Sequence, residues 1–286
     1  MEHNETVNPS MPDRTLKSSD SKSAYAMEGR HLKIGYSDKT IIPEMNVKIP
    51  QGQITSIIGP NGCGKSTLLK GLARILPLQG GEVLLHNQNM KDMGTKEIAR
   101  QLALLPQGPT APAGLSVREL VSFGRYPYQK GFGTMNETDR QIVEQAMKDT
   151  RTLELADRSV DQLSGGQRQR VWIAMALAQD TPLILLDEPT TYLDMAHQLE
   201  ILELLERLNK EKQKTIVIVI HDLNMAARFS DYLVAMKDGL ILHEGNVGQI
   251  MSAPVLKDVF SLDALIEKDP WTGKPTMVSY RLLSGS

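Results

Sequence analysis

The sequence predicts an α/β protein with a mainly parallel sheet, a small antiparallel subdomain ahead of it and a helical insertion inside it. Three observations carry this. Short β-branched or Leu-rich runs recur at residues 54–58, 102–105, 183–186 and 215–220; runs apolar at nearly every position suit strands buried on both faces. Segments of helical periodicity alternate with them at 66–75, 167–178 and 196–208, the order that gives a layered α/β core. From Gln107 to Asp161 the strand signal vanishes and helical pattern takes over.

Taken in order, the first 24 residues are rich in Ser, Asp, Lys, Asn and Pro and predict a solvated, disordered extension without the apolar centre of a signal peptide. Residues 27–49 alternate in a way that predicts short antiparallel strands, with turns at 36–39 and 43–46. The insertion, about 108–165, carries helical segments at 117–123 and 137–148 joined by a Gly- and Pro-containing connection at 124–134. Later, strand-like runs at 232–236 and 240–243 meet at Lys237-Asp238-Gly239, a hairpin signal. A helical tail and a strand-like end at 277–282 complete the chain. The expected division is therefore a polar extension over 1–24, one main domain over 25–250 and a tail over 251–286 packed upon it.

Composition narrows the function. Of 286 residues 41% are hydrophobic and 23% charged, with a net charge of −2; this is an ordinary globular balance with no bulk electrostatic pull toward nucleic acid. The single cysteine, Cys63, excludes an intramolecular disulfide framework and argues against a structural zinc site. No apolar stretch reaches the roughly 18 residues of a membrane span. The expectation is a cytoplasmic chain that meets a membrane through a partner.

The strongest motif is Gly59-Pro60-Asn61-Gly62-Cys63-Gly64-Lys65-Ser66-Thr67, between a predicted strand and a predicted helix. It matches G-x-x-x-x-G-K-[ST], the phosphate-binding loop of a P-loop NTPase core. Glycines let successive N–H groups turn toward phosphate oxygens, and the following helix adds its free N-terminal N–H groups and positive dipole end. Lys65 reaches the β- and γ-phosphates and the Ser66 hydroxyl can ligate Mg²⁺. Cys63 fits a position that needs only a small side chain.

Leu183-Ile184-Leu185-Leu186-Asp187-Glu188 is an apolar strand ending in two carboxylates. Alone, this pattern fits a helix N-cap equally well. Combined with the loop upstream, Asp187 is suited to hold Mg²⁺ or its waters, and Glu188 to orient and deprotonate an attacking water. Leu163-Ser164-Gly165-Gly166-Gln167 then offers a second anion-binding helix start. One nucleotide does not need two such termini from one chain, so the second is expected to serve a neighbouring copy.

With that pentapeptide the sequence resembles the ATP-binding cassette family over about 27–242, motifs in the family's order. The resemblance implies a homodimer hydrolysing ATP, each ATP held by Lys65 of one copy and by Ser164, Gly165, Gly166 and Gln167 of the other. It implies further roles: Tyr36 stacking on adenine, Gln107 sensing Mg²⁺ and the water, Asp194 communicating across the dimer, and His221 holding the γ-phosphate. Gly124-Arg125-Tyr126-Pro127-Tyr128 and Thr190-Thr191-Tyr192-Leu193-Asp194-Met195-Ala196-His197-Gln198 look like the ATPases of importers for ferric siderophores, haem and vitamin B12. That branch implies two integral-membrane permease subunits, contacted through residues between Gln107 and Tyr128, and an extracytoplasmic substrate-binding protein acting indirectly, with the ATPase peripheral on the cytoplasmic face. The alternatives are the same engine in another transporter and a soluble cassette acting on DNA or ribosomes.

Overall fold

The computed structural model describes residues 24–37, 39–129, 135–191 and 193–283. The polar extension expected over 1–24 lies outside them except for Ala24, as does Tyr192. The strands are β1 (Tyr25–Tyr36), β2 (Lys39–Pro50), β3 (Ile54–Ile58), β4 (Leu78–Leu85), β5 (Gln88–Asn89), β6 (Leu102–Leu105), β7 (Leu183–Asp187), β8 (Thr215–Val219), β9 (Tyr232–Lys237), β10 (Leu240–Asn246), β11 (Leu262–Lys268) and β12 (Pro275–Leu282). The helices are α1 (Lys65–Leu72), α2 (Thr95–Ala99), α3 (Val117–Ser122), α4 (Glu137–Asp149), α5 (Gly165–Ala178), α6 (Met195–Lys212), α7 (Leu223–Phe229), α8 (Val247–Ile250) and α9 (Ala253–Phe260).

The central sheet runs in the order β10-β9-β3-β8-β7-β6. Strands β9, β3, β8, β7 and β6 pair in parallel, and only β10 is antiparallel to its neighbour. Every residue of β3, β7 and β8 is buried. Ile184, Leu186, Ile216 and Ile218 face one core with α5 and α6, while Leu183, Leu185, Val217 and Val219 face another with α1 and the antiparallel sheet. Two faces buried by two different layers explain why these strands are mostly apolar rather than alternating, with Thr55, Ser56 and Thr215 among the buried polar exceptions inside them. The insertion is α3 and α4 packed on α5, with Val117, Leu120, Val121, Val143 and Met147 joining the α5 side of the core.

The second sheet, β2-β1-β4-β5, is antiparallel and lies against α1. Here the structure corrects the expected turn at 43–46. The chain stays extended through Pro43, and the register merely shifts between Leu32↔Met45 and Ile34↔Ile42. Strand β2 is an edge strand, so the missing N–H of Pro43 breaks no ladder in which a neighbour depends on it. The helix expected at 66–75 ends at Leu72, and Arg74 is left-handed at φ 58°. The strand-like end is one arm of a hairpin: β11 pairs antiparallel with β12, β11 packing beside α9 and β12 beside α7.

Candidate functional site

The parallel strands end at one edge of the sheet, and the predicted chemistry gathers there. After β3 the chain enters the loop 59–64, where Gly59 has φ 153° and Gly64, the residue before α1, has φ 104°. A side chain at Gly59 would overlap the carbonyl oxygen of Met236 in β9, so the loop passes too close to the sheet for any other residue. The loop is also pinned from β9–β10, Gly239 N–H donating to Cys63 O at 3.0 Å. Burial pushes the Cys63 thiol above its ordinary pKa, with the Lys65 charge pulling the other way, which keeps it a protonated packing residue.

Lys65 is buried, and its Nζ donates to Gly59 O at 2.8 Å and Pro60 O at 3.0 Å. The ammonium thus spans the loop from inside, 2 carbonyls fixing it where an anion bound by the loop would lie over it. Ser66 Oγ donates to Asp187 Oδ1 at 2.8 Å. The other oxygen, Asp187 Oδ2, is buried and has no hydrogen-bond partner among the described residues. Burial is the largest influence on this carboxyl and raises its pKa; the Ser66 bond opposes that and the adjacent Glu188 adds to it. A buried carboxylate oxygen without a donor is costly unless a cation or its water serves it.

Glu188 follows β7 with a left-handed backbone, φ 53°. Its Oε2 accepts from Gln107 Nε2 at 2.7 Å and from Thr191 Oγ1 at 3.1 Å, while His221 Nε2 lies 2.5 Å from its Oε1. Gln107 follows β6, Glu188 follows β7 and His221 follows β8. These strands are neighbours in the order β8-β7-β6, so parallel pairing sets the three side chains abreast. Glu188, Thr190, Thr191, His221 and Asp222 line one cleft. An anion-cradling loop, a carboxylate with an unserved oxygen, and a second carboxylate flanked by an amide and an imidazole can bind a nucleotide phosphate chain and activate water at its end.

Residues 42–191 match the model of the ABC transporter family. The chain belongs to that family. It is 55% identical over 258 residues, 90% of its own length and 96% of the relative's, to the iron(3+)-hydroxamate import ATP-binding protein FhuC of Bacillus subtilis (strain 168). It is 45% identical over 257 residues, 90% of this chain and 95% of the relative, to the ferric enterobactin transport ATP-binding protein FepC of Escherichia coli (strain K12). Among solved structures it resembles an inward-facing ABC transporter described as of metal-chelate type, with TM-score 0.76 and 28% identity, covering 90% of this chain and 97% of that one. It also resembles the dimeric cassette MJ0796 in a post-hydrolysis state bound to ADP and Pi, with TM-score 0.69 and 31% identity over 77% of this chain and 98% of that one.

In the cassette, not every predicted residue joins the first cleft. Ser164 caps α5 in a reciprocal box: its Oγ accepts from Gln167 N–H at 3.3 Å, and Gln167 Oε1 accepts from Ser164 N–H at 3.1 Å. Ser164, Gly166 and Gln167 line a separate open cleft with Leu193, Asp194 and His197, a cleft that none of Lys65, Ser66, Asp187 or Glu188 lines. Asp194 caps α6 through His197 N–H at 2.9 Å and pairs with His197 Nδ1 at 2.8 Å; these bonds hold its carboxyl below the usual range. Tyr36 ends β1 and is 45% exposed.

In the motif 124–128, Gly124, Arg125 and Pro127 are buried while Tyr126 is 65% exposed. Arg125 is buried, its Nε donating to Asp139 Oδ1 at 2.8 Å and its Nη1 to Ala178 O at 2.9 Å, with the guanidinium 3.9 Å from the Tyr128 ring centre. It ties the 123–128 turn to α4 and to the end of α5. Sequence reasoning does not single out Thr191 as a site residue, although it lies 3 residues after Glu188 and a hydroxyl there can turn back onto that carboxylate. Nor does it single out Gln169, whose Nε2 donates to Pro189 O at 2.8 Å and ties α5 to the segment after Glu188.

Proposed function

We propose that this chain is the ATP-hydrolysing subunit of an importer, energising uptake of a ferric siderophore or a related metal chelate through a membrane permease. The observation that carries the ATPase part is the row Gln107–Glu188–His221 set beside Lys65 and Ser66. The cargo class is supported by the relatives that serve iron(3+)-hydroxamate and ferric enterobactin transport.

In this reading the loop N–H groups and Lys65 bind the β- and γ-phosphates, Tyr36 stacks on adenine, and His221 donates to the γ-phosphate. Glu188 takes the proton of the attacking water, which Gln107 positions. The unserved Asp187 Oδ2 and the Ser66 hydroxyl fit Mg²⁺, with Gln107 completing the set. When bound, the ion neutralises charge that develops on the phosphate oxygens. The cleft of Ser164, Gly165, Gly166 and Gln167 with Asp194 receives the ATP of a second copy, so two ATP molecules close a homodimer. Closure is favoured only because the closed state adds these contacts. Among the described residues no helix is long and apolar enough to cross a membrane, which fits a peripheral subunit docked on two permease subunits that receive cargo from an extracytoplasmic binding protein. We further propose 25–250 as the cassette and 251–286 as a tail upon it.

Uptake of radiolabelled ferric siderophores and vitamin B12 by a host lacking this protein tests the proposal. Loss for particular chelates, restored by wild type and not by Glu188→Gln, supports it and names the cargo. Normal uptake of every chelate, with no redundant ATPase present, sends the same engine to another transporter.

A further inference from the structure

Helix α7 begins two residues after His221, with Asp222 between them as its N-cap, and has 7 residues, too few to hold its own position in water. The His221 side chain is 42% exposed, so packing does not fix it. Leu223, Ala226, Ala227 and Phe229 bury one face of the helix in the core, Asp222 caps its start by accepting from Met225 N–H at 2.9 Å, and the C-terminal hairpin holds both of its ends. At its start, Asn224 Oδ1 accepts from Met277 N–H at 2.8 Å, and Asn224 Nδ2 donates to Met277 O at 3.0 Å. One side-chain amide therefore pairs with β12 as a strand residue would. At its end, Lys274 Nζ donates to Arg228 O and to Ser230 O, both at 2.8 Å, meeting the carbonyls left free at a helix C-terminus and the negative end of its dipole.

The hairpin is stiff where it grips. Asp269 Oδ1 accepts from Trp271 N–H, Thr272 N–H and Thr272 Oγ1 at 2.7–2.9 Å, and Asp269 N–H donates to Lys274 O at 2.8 Å. Met277 packs against the central core. The cleft under the hairpin turn, lined by Asn224, Arg228, Asp269 and Lys274, shares the side chain of Met225 with the cleft that holds Glu188 and His221. One residue of the first turn of α7 thus separates the tail from the reacting end of the site.

We infer that the C-terminal hairpin is a positioning clamp for His221, with Asn224 and Lys274 as the positioning residues that set the register of α7 and thereby the reach of the imidazole. The inference rests on the reading of His221 as the γ-phosphate contact. It gives the tail a part in turnover: whatever displaces the hairpin detunes hydrolysis while leaving the phosphate loop intact.

The test uses the full chain with Asn224→Leu and Lys274→Met, each removing the bonds at similar volume. Steady-state hydrolysis of Mg-ATP gives kcat and KM, and the imidazole resonance of His221, one of six histidines, is assigned by its loss in His221→Gln. The expected result is a kcat about five- to tenfold lower with KM unchanged, a displaced His221 resonance in both variants, and recovery of both in Lys274→Arg. Should Lys274→Met fail to fold, Asn224→Asp, which keeps the acceptor and loses the donor, carries the same test. An unmoved resonance, an undiminished kcat, or a loss shared equally by kcat and ATP affinity overturns the clamp. If wild type hydrolyses ATP, the clamp alone falls; if wild type does not, the underlying reading falls with it.

Discussion

His221 Nε2 stands 2.5 Å from Glu188 Oε1, while the other oxygen of the same carboxylate accepts from Gln107 and Thr191. The group proposed to take a proton from water is thus already engaged on both oxygens. For Glu188 to act, one partner has to leave, and His221 is the partner with somewhere to go, because a γ-phosphate offers it a stronger acceptor. Nucleotide arrival and release of the base are then one event.

Glu188→Gln removes the base while keeping a side chain that Gln107, Thr191 and His221 can still contact. Mg-ATP affinity is expected to stay near wild type and kcat to fall at least about 100-fold, with a dimer persisting in ATP on size-exclusion chromatography. Single-turnover hydrolysis checks it, and rapid turnover removes Glu188 from the role of base.

Lys65→Ala deletes a buried ammonium held by Gly59 O and Pro60 O. Both the anchor of the loop and the charge facing the phosphates go together, so ATP affinity is expected to drop by about 100-fold or more. Fluorescence titration with ATP measures this, and an unchanged affinity contradicts the loop assignment.

What could be seen in the sequence was chiefly what the central sheet demands. Strands β3, β7 and β8 lie between two cores with every residue buried and are apolar at most positions, and the motif residues follow their ends. Strand β4 escaped because Gln79, Gly80 and Gly81 fall where an apolar run is needed, and its pairing with β1 is a contact between distant segments. Strand β11 escaped because Asp263, Glu267 and Lys268 dilute a hairpin that buries only part of one face. Pro43 read as a turn because local preference cannot tell an edge strand from a loop. The row Gln107–Glu188–His221 required the strand order, which no spacing in the chain encodes.

Arg125 and Asp139 form a buried ion pair 2.8 Å apart, with side chains 5% and 6% exposed. The two charges depend on each other, because neither has water to fall back on. Arg125→Ala or Asp139→Ala strands a charge inside the insertion and is expected to cost about 3–5 kcal/mol. The double variant Arg125→Met with Asp139→Leu is expected to cost less than either. Urea denaturation gives the numbers, and additive losses would mean that the pair is not coupled.

Asp187 carries the pH-dependent consequence. Burial raises its pKa above the ordinary 3.8, so the folded chain binds that proton more tightly than the unfolded chain does. The stability linked to protonation is complete below 3.8 and is lost as pH rises through the folded value; above that value the carboxylate is charged and the penalty is in force. Asp187→Asn removes the charge and keeps an acceptor for Ser66. Without nucleotide or Mg²⁺, the variant is expected to melt roughly 2 °C above wild type at neutral pH. That gap should narrow on acidification, as wild type takes up its proton and the variant has none to gain. Mg²⁺-dependent hydrolysis should be lost in the same variant. Calorimetry at neutral and acid pH decides the matter: a variant that melts lower at neutral pH would mean that the Asp187 charge stabilises the empty site, and the unserved oxygen would then be no argument for a cation.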